Sequence, residues 1–203
     1  MKFLLSFSFI LATFQSGFAA PPKPAAPAVG RLHAGWAMTS ITPDMPVALA
    51  GQFHKRISER IETPVTATAL AIETRVGDQA IDQAIMVSCD LVIIADHIQP
   101  RLRKLLAERL PGFDLKKLFL NATHTHSAPV TRAIAWYDVT EPGVMKPDAY
   151  VDFMLKKIAA AVETAWKNRK PGGISWGLGH AVVGSNRRMV YRTAQGQPPF
   201  GGG

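Results

Sequence analysis

Two imidazoles two residues apart are the strongest chemical signal in this chain. His124 and His126 lie in the stretch Asn121-Ala122-Thr123-His124-Thr125-His126-Ser127-Ala128-Pro129, directly after the apolar run Leu118-Phe119-Leu120. In an extended strand alternate side chains share a face, so this spacing lets both rings address one point in space. Neutral imidazole is a common zinc ligand, and a Ser-Ala-Pro turn opens the end of the strand to a cleft. On spacing alone, a pair of strand-end histidines that bind nothing fits equally well.

Other residues of suitable type are weaker candidates. Asp90 could hold the second ring nitrogen of a histidine, but it reads more readily as a polar residue ending a strand. Cys89 is the chain's single cysteine, so no internal disulfide forms, and its apolar strand context makes it a core residue rather than a nucleophile. His33, His54, His97 and His180 read as structural or surface residues, with His54 the best placed, in the polar segment Gly51-Gln52-Phe53-His54-Lys55-Arg56.

The elements that must position the histidine pair are legible in the hydropathy pattern. Residues 35–41 form a short first strand ended by Thr42-Pro43-Asp44-Met45-Pro46. Residues 65–73 read as a strand buried on both faces. Residues 84–94 read as its antiparallel partner across a Gly77-Asp78 turn. Ile98, Leu102, Leu105, Leu106 and Leu110 follow the 3.6-residue period of a helix that Asp96 can cap and Pro111-Gly112 stops. Residues 117–123 form the strand that delivers the histidines. A second helix spans 147–168, with Val151, Leu155, Ile158, Val162 and Trp166 on one stripe, and residues 174–183 read as a last strand. The order strand, strand, helix, strand, helix, strand implies an α/β fold, a mixed β-sheet flanked by helices. In such sheets function gathers at strand ends, where the histidines lie.

Residues 1–20 read as a signal peptide: Lys2 gives the positive n-region, residues 3–14 the apolar core, and Gly17, Ala19 and Ala20 a small-residue cleavage site. The apolar core is shorter than the ~20 residues a membrane span needs. A secreted or periplasmic location is expected. Residues 21–33 read as a Pro/Ala-rich linker, 34–192 as one domain, and 193–203 as a Gly/Pro tail with no packing pattern. The formal net charge is +8, of which Lys2 in the leader contributes one. Basic residues cluster at Arg101, Arg103, Lys104, Lys116, Lys117, Lys156, Lys157, Lys167, Arg169 and Lys170, and most of this cluster falls on the polar sides of the two helices. Aromatic–basic interleaving is missing, which argues against nucleic acid as a partner, while peripheral contact with an anionic membrane surface stays open.

The segment Ala122-Thr123-His124-Thr125-His126-Ser127-Ala128-Pro129 resembles the A-T-H-T-H-S-G-P signature of the neutral (alkaline, non-lysosomal) ceramidase family. Three further features resemble that family's N-terminal portion in order: Asp44 after Ile-Thr-Pro, Ser88-Cys89-Asp90-Leu91 before the first helix, and Asn186-Arg187, similar to its N-R-S-P segment. The similarity spans residues 34–192. It implies the incomplete N-terminal portion of a larger catalytic domain, in a zinc (Zn2+) amidohydrolase that cleaves the N-acyl bond of ceramide to sphingosine and a fatty acid. It also implies His124 as a metal ligand, His126 as a nearby group that supports the metal or touches substrate, and Arg187 as an active-site arginine. Here Ala128 replaces the signature glycine, and Arg188-Met189 replaces Ser-Pro. By the same resemblance the remaining zinc ligands and the nucleophilic serine belong to segments downstream, so the missing C-terminal portion of the enzyme is the expected partner and a ceramide-like lipid the expected substrate. Two other readings stay open: a non-catalytic secreted domain that binds lipid or a partner, and a related hydrolase of another amide or ester.

Overall fold

The computed structural model describes residues 30–134 and 137–184. The leader, the tail and the Asn186-Arg187 segment lie outside them. In chain order the strands are β1 (Arg31–Ser40), β2 (Ala48–Leu49), β3 (Arg56–Ile57), β4 (Thr66–Val76), β5 (Gln79–Cys89), β6 (Leu118–Ala122) and β7 (Lys170–Pro171). The helices are α1 (Ile98–Leu106) and α2 (Pro147–Lys167). β1 already begins at Arg31, inside the range read as linker.

Five strands make one mixed sheet in the order β6-β5-β4-β1-β7, and β2 pairs with β3 in a separate small hairpin. β1 and β5 flank β4 in antiparallel register, and the β4–β5 hairpin turns at Gly77, whose φ of +58° is left-handed backbone that glycine tolerates. β6 joins β5 in parallel, which requires a crossover; α1 lies in it. The fold is the expected α/β arrangement.

Both helices share one side of the sheet. Alternate residues Ala67, Ala69 and Ala71 of β4, Ile85, Val87 and Cys89 of β5, and Leu118 of β6 are buried there against Leu102 and Leu106 of α1 and Val151, Leu155, Ile158 and Val162 of α2. Small side chains on β1 and β4 bring α2 close. A Cβ on Gly35 would stand 2.3 Å from the Ala165 carbonyl oxygen and 2.7 Å from the Arg169 amide nitrogen. Glu73 faces the same side at 4% exposure; its carboxylate meets Arg75 at 2.7 Å and Arg169, just past the end of α2, at 3.2 Å. A buried carboxylate needs such partners to offset its desolvation.

The opposite side of the sheet is open among the described residues. Trp36, Leu70, Met86 and Phe119 form one cross-strand row there, with Trp36 67% and Phe119 53% exposed. β4 is therefore buried on one face, not both, and its burial alternates along the strand.

Two further expectations are corrected. The residue before α1 is His97, with no side-chain cap, so Asp96 does not cap that helix. Residues 174–183 form no strand. Lys170 and Pro171 pair with Ala34 and His33, and the Gly172 amide donates to the Leu32 carbonyl. That antiparallel register runs towards the start of β1, so a longer β7 would pass the end of its neighbour among the described residues. Ile174, Trp176, Leu178 and Val182 are accordingly exposed. No helix of the described residues is long and apolar enough to cross a membrane.

Candidate metal centre

β6 delivers the histidines to the end of the sheet, as its apolar run predicts, but not in an extended conformation. Its pairing with β5 persists beyond the regular strands: the Thr123 amide donates to the Cys89 carbonyl and the His124 amide to the Leu91 carbonyl, both at 3.0 Å. The chain then bends. His124 has a φ of +65°, the single left-handed non-glycine among the described residues. That region costs a non-glycine residue roughly 1–2 kcal/mol, and strain of this kind concentrates at functional sites. The bend, rather than strand alternation, brings the two rings together, with centroids 4.9 Å apart and planes at 73°, edge to face.

The hydrogen bonding of His124 decides its chemistry. Nδ1 lies 2.7 Å from the Val92 carbonyl oxygen. A carbonyl only accepts, so Nδ1 carries the hydrogen, and the neutral ring keeps its lone pair on Nε2. Histidines that ligate metals are held this way, with one nitrogen donating to a backbone carbonyl or carboxylate and the other free to coordinate. Sequence reasoning could not identify Val92, because the group that acts is main chain.

Asp90 is a polar strand end, the more favoured of its two readings, and not a histidine partner. One carboxylate oxygen accepts from the Thr66 amide at 2.9 Å and the Thr66 hydroxyl at 2.8 Å; the other accepts from the Thr123 hydroxyl at 3.3 Å. It ties the start of β4 to the residue before His124 and bonds no histidine. Cys89 is fully buried, and burial pushes its thiol up to about 12, so it serves the core.

His126 rests on the segment between β2 and β3. Its carbonyl accepts from Arg56 Nη2 at 2.6 Å, and the same nitrogen reaches the Ala50 carbonyl at 3.0 Å. Gly51, at φ +100°, lies so close that a Cβ there would stand 2.4 Å from the His126 Cβ. Main-chain bonds from Ala50 to Ala128 and from Val130 to Ala48, each 2.9 Å, lace the two segments together. Tyr137 accepts from the Gly51 amide and donates to the Gln52 carbonyl. Lys55 reaches the Asp138 carbonyl at 2.7 Å and Glu141 at 2.5 Å, and its hydrogen bond holds the Glu141 carboxyl below the usual range. The polar segment singled out in the sequence is thus the scaffold of the histidine turn.

A cleft of about 670 Å³ opens beside this turn, lined by parts of the 42–49 and 58–65 segments together with Asp90, Thr125 and Ser127. Asp44 lines it too; neither histidine does. Arg187 lies outside the described residues. No group of three or more His, Cys, Asp or Glu side chains able to hold a metal exists among the described residues. His124 leaves Nε2 unbonded and His126 adjoins it, two imidazoles where a catalytic zinc takes three protein ligands.

No family model and no curated protein matches the chain. Solved structures do match. A neutral ceramidase from Pseudomonas aeruginosa aligns with a TM-score of 0.60 and 22% identity over 71% of this chain and 23% of its own. A ceramidase complexed with C2 aligns with a TM-score of 0.56 and 22% identity, over 71% of this chain and 22% of its own. The chain therefore spans less than a quarter of the length of either. The α/β fold, a mixed five-stranded sheet with its helices, is a partial match to a larger ceramidase domain.

Proposed function

We propose that this chain is part of a secreted zinc-dependent amidohydrolase of the neutral ceramidase family, cleaving the N-acyl bond of ceramide to sphingosine and a fatty acid, with His124 as one metal ligand. The carrying observation is the left-handed His124, its Nδ1 fixed by the Val92 carbonyl and its Nε2 left free. The A-T-H-T-H-S signature and the ceramidase fold support the substrate class; the leader pattern supports secretion. The remaining ligands and the nucleophile come from residues outside those described.

An amide is a poor electrophile with a poor leaving group, and zinc supplies carbonyl polarisation and a lowered pKa for water. The chain's own residues do the positioning. Val92 fixes the tautomer of His124, Asp90 anchors the residue before it, and His126 packs edge to face against its ring. Arg187 is proposed to hold the negative charge that develops on the substrate, a role suited to a guanidinium.

The test is hydrolysis of a fluorescent ceramide and of simpler N-acyl amides by the product of the native gene, with and without chelator, beside a His124→Asn variant. Asparagine tolerates left-handed backbone but offers no imidazole. Ceramide hydrolysis abolished by both treatments is expected. Activity indifferent to chelation would remove zinc from the reaction. Ceramide binding with no hydrolysis of any amide would favour a non-catalytic lipid-binding domain, the reading that the open apolar sheet face supports.

A further inference from the structure

We propose that Arg56 is a positioning residue of the histidine turn, and that metal affinity depends on it although its hydrogen bonds there go to carbonyls and not to an imidazole. The proposal rests on the metal reading of His124. One nitrogen, Nη2, gathers two carbonyls from segments far apart in the chain, Ala50 at 3.0 Å and His126 at 2.6 Å. A charged donor shared between carbonyls is stronger than a neutral hydrogen bond. Its geometric consequence matters more. The His126 carbonyl sits directly past the left-handed bend, where no regular strand holds the backbone. Gly51 supplies the surface against which His126 closes; the main-chain bonds at Ala128 and Val130 hold the segments together further along, and Arg56 is the tie at His126 itself. The guanidinium therefore sets where the His126 ring lies, and through the edge-to-face contact it limits the orientation of His124. A lysine can replace the charge but not the guanidinium's planar fork of donors.

The test compares Arg56→Met and Arg56→Lys with the wild-type chain in two measurements. The first, on metal-free protein, is the ring 13C–1H shifts of His124 and His126, which report their mutual packing. The second is the zinc dissociation constant, read by competition with a chromophoric chelator. In Arg56→Met both histidine signals are expected to move together and zinc affinity to fall about 10–100-fold, the usual effect of losing a group that orients a ligand. Arg56→Lys should recover part of each. Thermal unfolding of each variant establishes that the fold persists. Unchanged ring shifts in a folded Arg56→Met chain would overturn the proposal, as would a lower melting temperature with zinc affinity intact. A wild-type chain that binds no zinc would refute the metal reading, and with it the effect on affinity; the metal-free ring shifts would still decide whether Arg56 positions the turn.

Discussion

His124 combines two features that separately mean little. Left-handed backbone at a non-glycine residue is a cost, and a ring nitrogen bonded to a carbonyl is ordinary. Together they describe an imidazole forced into one orientation with its lone pair directed away from its anchor. The sequence signalled the residue by type and spacing, and His126 with it. The anchor was invisible in the sequence, because every residue carries a carbonyl and only the fold selects Val92. Asp90 is the polar strand end that its position suggested more readily than a histidine partner: the amide and hydroxyl of Thr66 take one carboxylate oxygen. Cys89 behaved as its context implied. With its thiol pushed up to about 12 by burial, it should not react with a thiol reagent at pH 8 in the folded chain and should react fully on unfolding. Rapid labelling of native protein would mean that the β5 end is open to solvent.

At the scale of elements, periodicity carried the helices and the central strands, since α1 and α2 each bury one stripe and β4 alternates along its length. What it missed depended on neighbours. The segment 174–183 has a strand's composition but pairs with no strand among the described residues, and Glu73 sits among core alanines because Arg75 and Arg169 reach it from two sides. The seat of α2 gives a direct test. Gly35→Ala would push a methyl group into the Ala165 carbonyl and should cost about 1–3 kcal/mol, the usual range for overpacking. Gly172→Ala, whose nearest atom would be 3.9 Å away, should leave the urea midpoint in place. Equal midpoints for both variants would contradict the close approach of α2 to β1.

For the whole molecule the governing fact is asymmetry: one side of the sheet is covered by helices and the other presents Trp36, Met38, Met86 and Phe119 to solvent. Contiguous apolar surface of this kind drives association. The isolated chain should bind a hydrophobic dye and sediment as larger species at higher concentration, and a Trp36→Lys, Phe119→Lys double variant should reduce both; a dye-silent monomer would mean that the face is covered. Which face is exposed was not legible, since apolar residues on both sides of β4 look in sequence like burial on both. The claim on which the functional reading depends is local, however, and long-range 15N–1H spectra of the histidine rings address it directly. Without metal, His124 should be the Nδ1–H tautomer, and added zinc should shift its Nε2 resonance. An Nε2–H tautomer, or an Nε2 signal unmoved at saturating zinc, would contradict the assignment of His124 as a metal ligand.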